Sequence, residues 1–247
     1  MIVYGHRGAR GEAPENTIAG ARHAVDRGVR HLEIDLRLSA DGELVVIHDD
    51  TISRTAGKPA QGAERVAELD SQMLRSLDAR QDGPPWPKKR QTGVPTLSRL
   101  VKALPEIRHW QLELKPLGRA QNPALSNAVI QWLETHRLNA VVTSSSPALL
   151  RAVKAALPQQ SVGLVATKAD VDDTLYDLRC DYLIAHWKTL TDKRRQRRLQ
   201  KQGIHISTWT VNDASVIETL FRQGVDSVIT DYPSMALPLV GGLMRKD

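Results

Sequence analysis

The sequence predicts an α/β fold, and within that class a TIM (β/α)8 barrel. The chain has 247 residues, which is ordinary for such a barrel and long for most other single domains. Short apolar stretches alternate with amphipathic stretches eight times along the chain, the order that a parallel barrel requires. Several charged residues stand at the carboxyl ends of the predicted strands, where barrels of this type carry their chemistry.

The first predicted unit is a strand over residues 2–5, a loop, and a helix over residues 17–28. Asn16 or Thr17 can cap that helix, because a short polar side chain accepts hydrogen bonds from the first free N–H groups. Gly28 is the expected glycine at its carboxyl end. The chain therefore begins with one strand–helix unit.

The second strand is expected to turn back on itself as a hairpin. Apolar and charged residues alternate over residues 31–38, a period of two that predicts a strand. Asp41-Gly42 predicts a two-residue turn, since these residues accept positive φ, and residues 43–48 would return as another strand. Such a turn would set Asp35 opposite His48, with Cβ atoms about 5 Å apart.

The rest of the chain is predicted as a small insertion followed by regular strand–helix units. Residues 51–93 are rich in Gly, Pro, Lys and Gln, with a helical pattern only near residues 63–77, and Thr96 can cap the next helix. Further strands are expected at residues 109–115, 139–144, 161–167, 180–187, 204–212 and 226–233, with helices near residues 121–136, 147–156, 170–178, 191–202 and 213–223. We therefore expect one domain over residues 1–247, carrying an insertion at about residues 51–93.

Composition predicts a soluble protein with anionic partners. The formal charge is +6 and the isoelectric point is about 9.6, which favours phosphorylated metabolites, nucleic acid or acidic lipid heads. The basic run Lys193–Lys201 contains no aromatic residue, so a solvated helix face is favoured over nucleic-acid binding. No apolar run approaches the roughly 18 residues of a membrane span, and the single Cys180 agrees with a reducing compartment. A cytoplasmic location is expected, with the oligomeric state left open.

Two of the eight histidines, His6 and His48, fall beside several charged groups at strand ends. Imidazole, with an unperturbed pKa of about 6.5, can take or give a proton near neutrality, as catalysis at a phosphorus or carbonyl centre requires. Either histidine taken singly is more often structural. Their convergence on one rim of a barrel predicts a catalytic pair.

Three carboxylates, Glu33, Asp35 and Glu113, are predicted on the inward faces of neighbouring strands. Unpaired acids so close together would resist ionisation, so a positive group must lie among them. Oxygen ligands without thiolate or extra histidine favour a hard divalent cation, Mg²⁺ or Ca²⁺, over zinc.

Nearby basic residues leave a second interpretation open. Arg7, Arg37 and Lys115 could neutralise the acids in a salt-bridge network without any metal. If a metal is present, Lys115 shares a face with Glu113 and implies an anion between the two cations, and Arg7 adds a fork of donors that suits phosphate. Trp209, at the end of the seventh strand, would either line the pocket around the organic part of a ligand or pack as a core aromatic residue at the barrel rim.

Five segments of the chain, taken together, resemble the glycerophosphodiester phosphodiesterase family, and in particular its cytosolic bacterial members. They are HRGARGEAPENT, EIDLRLSADGELVVIHDD, LELK, WTVN and GVDSVITDYP, and they span residues 5–233. The resemblance implies a TIM barrel of the phospholipase C-like phosphodiesterase type, a divalent metal, and hydrolysis of deacylated phospholipids, such as glycerophosphocholine, to sn-glycerol 3-phosphate and an alcohol.

The resemblance also implies residue roles. By position, the catalytic histidines are His6 and His48, the metal ligands are Glu33, Asp35 and Glu113, and the phosphate-binding residues are Arg7 and Lys115. Ser145 departs from the family, which usually has an aromatic residue there. Alternatives on the same barrel are a lysophospholipase D, a phospholipase C-like enzyme that stops at a cyclic phosphate, and a phosphate-binding barrel without turnover.

Overall fold

The computed structural model of the chain describes residues 1–57, 64–86, 91–118 and 122–245. The strands in these residues are β1 (Ile2–His6), β2 (His31–Leu38), β3 (Leu44–Val46), β4 (His109–Leu114), β5 (Ala140–Ser144), β6 (Ser161–Ala166), β7 (Tyr182–His186), β8 (His205–Trp209) and β9 (Ser227–Thr230). All except β3 are parallel and follow the order β1-β9-β8-β7-β6-β5-β4-β2. Because β1 also pairs with β2, these eight strands close into a barrel, and the predicted TIM barrel is confirmed.

Helices on the outside of the barrel connect successive strands. In the described part of the chain they are α1 (Ile18–Asp26), α2 (Ser53–Ala56), α3 (Ser71–Ser76), α4 (Leu97–Ala103), α5 (Asn122–Thr135), α6 (Pro147–Ala156), α7 (Asp172–Asp177), α8 (Lys193–Lys201), α9 (Ala214–Arg222) and α10 (Pro233–Leu243). Two predicted caps are confirmed, since the Thr17 and Thr96 side chains accept hydrogen bonds from the backbone N–H groups of Gly20 and Arg99. None of these helices combines the length and apolar character needed to span a lipid bilayer.

The turn after β2 has three residues instead of the predicted two. The Ser39 backbone N–H donates to the carbonyl of Glu43 at 3.1 Å, which leaves residues 40–42 as the turn. The Ser39 hydroxyl donates to Asp41 at 2.5 Å and accepts the Glu43 N–H at 3.0 Å. Gly42 takes the positive φ of 79° at the last turn position, where such loops favour glycine.

This turn shifts the hairpin register by one residue. Leu36 pairs with Val46, and the Ile47 backbone N–H donates to the Asp35 carbonyl at 3.0 Å. Asp35 therefore lies opposite Ile47, and the prediction that it lies opposite His48 is wrong. The error has a local cause, because the side chain of Ser39 stabilises a turn that the Asp-Gly pair alone does not predict.

The segment between the hairpin and α4 packs on the barrel through a small apolar cluster of its own. Ile52, Val66 and Leu74 are buried there against Val45 and Ile47 at the hairpin. The helical pattern predicted near residues 63–77 corresponds to α3 and a short 3-10 turn before it. Parts of the predicted insertion, residues 58–63 and 87–90, lie outside the described residues, as does the first residue of the helix predicted from 121.

Aromatic and histidine rings fill the amino-terminal end of the barrel. Tyr4 Oη and His109 Nδ1 share a hydrogen bond of 2.8 Å, and the ring of Tyr182 lies between His109 and His205, at 6.0 and 4.5 Å between centroids. His31 lies edge to face with Tyr4 at 5.4 Å. We call these rings, Tyr4, His31, His109, Tyr182 and His205, the floor of the barrel. The floor closes the barrel below the predicted site, and its three histidines are partly buried.

We expect the floor to make the protein less stable in mild acid. Burial, together with His31 and His205, lowers the pKa of His109 from 6.5 to about 4. The unfolded chain therefore binds a proton below about pH 6.5 that the folded chain binds only near pH 4. The free energy of unfolding should fall as pH drops through this window, by about 1 kcal/mol from His109 at pH 5 after allowance for solvent screening.

Urea unfolding of the wild type and His109→Gln at pH 7 and pH 5 measures this contribution. The variant retains an acceptor for Tyr4 but cannot titrate, so its loss of stability between the two pH values should be smaller by that amount. Equal losses in the two proteins would contradict the assignment.

Candidate active site

A cavity of about 250 Å³ opens at the carboxyl ends of the barrel strands. Of the residues predicted for the site, those that line it are His6, Arg7, Glu33, His48, Glu113, Lys115 and Trp209. The eighth, Asp35, is fully buried directly behind the wall, in contact with Arg7 and Lys115. Barrel closure therefore brings together side chains that are separated by up to 203 residues in sequence.

Strand geometry accounts for the cluster of three acids. Glu33 and Asp35 are two residues apart on β2 and therefore point to the same face. On the neighbouring strand β4, Glu113 is in register with Asp35. One carboxylate oxygen from each acid lies within 4.8 Å of the others, the proximity expected of ligands that share one metal ion.

Two of the three predicted cations lie among these acids. Lys115 Nζ is 2.9 Å from Asp35 Oδ1 and 2.7 Å from Glu113 Oε1, and Arg7 Nε is 3.1 Å from Asp35 Oδ2. Burial would raise the pKa of Asp35, but Lys115 and Arg7 outweigh it and lower that pKa. Arg37, in contrast, donates from Nε to the backbone carbonyl of His48 at 2.7 Å.

Glu33 is the acid that these cations neutralise least. Its Oε2 accepts the backbone N–H of Arg7 at 3.2 Å, while its buried Oε1 has no hydrogen-bond partner among the described residues. Burial and the adjacent Asp35 and Glu113 raise the pKa of Glu33 well above its ordinary value. An unpartnered carboxylate oxygen beside two further acids fits a hard divalent cation, because the cation would supply the missing positive charge.

His6 is oriented by an acid that directly follows the last barrel strand. Its Nδ1 is 2.5 Å from Asp231 Oδ1, and Asn212 donates to the other oxygen of Asp231 at 2.7 Å. Burial would raise the pKa of Asp231, but the hydrogen bonds from His6 and Asn212 outweigh burial and lower it. With Nδ1 engaged, Nε2 remains for the cavity, and it lies 3.9 Å from Glu33 Oε2.

His48 has the same arrangement with a different acid. Its Nδ1 is 2.6 Å from Asp49 Oδ1, and Arg54 donates to the other oxygen of Asp49 at 2.6 Å. Burial opposes ionisation of Asp49, but Arg54 and His48 outweigh it and lower its pKa to about 2. Both histidines therefore keep Nδ1 on a carboxylate and leave Nε2 available to a reacting group.

Sequence reasoning did not single out Asp49, Asp231 or Glu15. Adjacency was an available signal for the first two, since Asp49 follows His48 and Asp231 follows the last residue of β9. Glu15 accepts hydrogen bonds from Arg7 at 3.0 Å and from Arg54 at 2.8 Å. No local pattern predicts this bridge, because its partners come from different loops.

Trp209 forms part of the cavity wall, as either of its predicted roles would require. Its indole N–H donates to the carbonyl of Ile184 at 3.2 Å, which sets the orientation of the ring. The ring is half-buried and faces apolar residues inside the barrel. A flat apolar surface therefore lies beside the polar cluster.

Comparison with known proteins matches the chain over almost its full length. The model of the glycerophosphoryl diester phosphodiesterase family matches residues 6–235. A glycerophosphodiester phosphodiesterase of Caldanaerobacter subterraneus is 28% identical, with 97% of each chain covered, and one of Bacillus subtilis is 26% identical, covering 95% of this chain and 85% of that protein. A phosphodiesterase of Oleispira antarctica, solved in complex with the product sn-glycerol-3-phosphate, superposes with a TM-score of 0.85 at 28% identity, covering 98% of this chain and 97% of that one.

Proposed function

This chain belongs to the glycerophosphoryl diester phosphodiesterase family, and from that premise we propose that its cavity hydrolyses glycerophosphodiesters by paired-histidine acid–base catalysis. The chain is thus a phosphodiesterase, and the products are sn-glycerol 3-phosphate and an alcohol. The observation that carries the mechanism is that His6 and His48 line one cavity with the acidic cluster, each with Nδ1 on a carboxylate.

Glu33, Asp35 and Glu113 are the residues that would hold a divalent cation, Mg²⁺ or Ca²⁺. When bound, the cation supplies positive charge that stabilises the negative charge growing on the phosphoryl oxygens. Oxygen-only ligation supports these two hard ions over softer ones.

Arg7 and Lys115 would bind the remaining phosphoryl oxygens. Both line the cavity and both are mostly buried, so their charges act in a medium that screens them weakly. The guanidinium of Arg7 offers several donors in one plane, and Lys115 offers a compact charge. Trp209 would contact the organic part of the substrate.

His6 and His48 would move the two protons of the reaction. One histidine takes a proton from the nucleophile, either water or the glycerol 2-hydroxyl, as its oxygen forms a bond to phosphorus. The other gives a proton to the alcohol oxygen as the bond between that oxygen and phosphorus breaks. With a glycerol nucleophile, water opens the resulting cyclic phosphate in a second step, so both routes consume one water.

Asp231 acts in this mechanism as a positioning residue for His6. We expect Asp231→Asn to lower kcat by about 100-fold with little change in KM, because an amide can donate to Nδ1 and so favour the wrong tautomer. Steady-state kinetics on a glycerophosphodiester measures both constants. The matched control is Asp213→Asn, an exposed cap of α9 without contact to either histidine. Equal kcat values in the two variants would contradict the positioning role.

Release of sn-glycerol 3-phosphate from a panel of glycerophosphodiesters tests the proposed function. The protein is first treated with a chelator, and Mg²⁺ and Ca²⁺ are then added back separately. We expect release that depends on added cation. Binding of glycerol phosphate without release of alcohol would instead favour a barrel without turnover.

We propose one catalytic domain over residues 1–247 with an insertion at about residues 51–93, acting in the cytoplasm on a small molecule and not on nucleic acid. The chain has a single cysteine, Cys180, and so no internal disulfide, which suits a reducing compartment. In α8, Arg195 and Arg198 pair with Asp172, which supports a solvated helix face over a nucleic-acid surface.

A further inference from the structure

A second cavity, of about 400 Å³, adjoins the first at the carboxyl ends of β5 and β6. Glu113, Val165 and Trp209 line both cavities, so the two spaces adjoin at these residues. We call the first the inner cavity and the second the outer cavity. The polar residues that line only the outer cavity are Ser145, Thr167, Lys168 and Thr174.

The outer cavity is open to solvent, whereas the inner cavity is enclosed by buried charged groups. Ser145, Thr167 and Lys168 are exposed, whereas His6 and Glu33 are buried. A glycerophosphodiester carries two organic groups on phosphorus, the constant glycerol and a variable alcohol. Because alcohols of different size need room, the open cavity suits the alcohol, and the enclosed cavity suits the glycerol phosphate.

The charge of the outer cavity is set by Lys168. Glu113, at the junction, is the one acid among the described residues that line it, and Lys115 holds that carboxylate at 2.7 Å. Asp172, at the start of α7, is held by Arg195 at 2.5 Å. Asp170 is exposed and does not line the cavity. A cationic alcohol would therefore meet Lys168, and the one acid of the described lining, Glu113, is already paired with Lys115.

We propose that the outer cavity is the alcohol subsite and that it selects uncharged polyol alcohols over cationic ones. The inference rests on the proposed function. The hydroxyls of Ser145, Thr167 and Thr174 can exchange hydrogen bonds with a polyol. A quaternary ammonium is bound best by unpaired acids or by several aromatic faces, whereas the described lining offers one aromatic ring, Trp209, and one acid, Glu113, that Lys115 already pairs.

Competition between glycerophosphoglycerol and glycerophosphocholine tests this selection. We expect kcat/KM to be about 10-fold higher for glycerophosphoglycerol at low salt, with a smaller ratio at high salt, since a partly exposed charge is screened. Lys168→Glu should bring the ratio to about 1 or below, by changing the sign of the interaction with choline. Lys188→Glu is the matched control, because Lys188 is exposed on the loop after β7 and lines neither cavity.

Three results would overturn the inference. The first is a wild-type ratio near 1 or in favour of choline. The second is an equal change of the ratio in Lys168→Glu and Lys188→Glu. Such a change would mean that the ratio depends on the net electrostatic field of the protein and not on Lys168 in particular. The third is absence of sn-glycerol 3-phosphate release from every diester by the wild type, which would overturn the proposed function itself and the inference with it.

A second variant tests the location of the subsite independently of charge. Ser145 is exposed on the loop between β5 and α6, so Ser145→Phe should fold and place a ring in the outer cavity. We expect kcat/KM for glycerophosphoinositol to fall about 10-fold and that for glycerophosphoethanolamine less than about threefold, because only the larger alcohol needs the filled space. Equal losses for both substrates would place the alcohol elsewhere and overturn the assignment.

Discussion

Replacing His6 or His48 with alanine is expected to lower kcat by about 10²- to 10⁴-fold, the range for loss of a general acid or base. Both histidines line the inner cavity, and each has Nδ1 on a carboxylate. If the two act in one proton-transfer sequence, the double variant should lose little more than the worse single variant. Steady-state kinetics on a glycerophosphodiester with saturating cation measures these losses.

The control for the histidine variants is His136→Ala. His136 is exposed and stacks on Trp132, far along the chain from either histidine of the site. Its substitution should leave kcat unchanged within about twofold, and thermal unfolding should show that all four proteins fold. Activity within tenfold of the wild type in both single variants would remove the proposed mechanism.

Binding of a divalent cation is expected to raise the melting temperature of the protein. Glu33, Asp35 and Glu113 are brought together only in the folded protein, so the cation binds the folded state and not the unfolded chain. At a concentration 100 times its Kd, it stabilises the folded state by about 2.7 kcal/mol. In Glu33→Gln this stabilisation should be lost together with turnover. Without cation, Glu33→Gln should be as stable as the wild type or more so, because an amide removes a buried charge that Asp35 and Glu113 repel.

Thermal unfolding of chelator-treated protein, with and without Mg²⁺ or Ca²⁺, measures the effect without reference to activity. Glu218→Gln, on α9 and paired with Arg222, is the control and should respond to cation as the wild type does. An unchanged melting temperature in the wild type with either cation would favour the alternative in which Lys115 and Arg7 alone neutralise the acids.

The outline of the site could be predicted because strand periodicity is a local property. Alternation along β2 places Glu33 and Asp35 on one face, and the strand count places Glu113 on the neighbouring strand. Parallel strands that close into a barrel end at one rim, so the acids and His6 converge there whatever the details of the loops. These predictions required only periodicity, order and chain length.

The hairpin register could not be predicted in the same way. The turn that follows β2 depends on the side chain of Ser39, which bonds to Asp41 and Glu43 across the loop. His48 nevertheless lines the inner cavity, since it follows the end of β3 and is not constrained by strand alternation. The predicted hairpin register was wrong, but His48 still lies at the rim of the barrel where it was expected.

The amino-acid sequence by itself determined the barrel, the order of its strands, and the rim at which the eight site residues were expected. Only the tertiary structure decided which group each of them contacts: Asp231 on His6 across 225 residues, and Lys115 and Arg7 on Asp35, while one Glu33 oxygen has no partner in the described part of the chain. The reason is physical. Backbone periodicity is set by neighbours in sequence, whereas the pairing of buried charges depends on distances of a few ångströms that exist only after the barrel has closed.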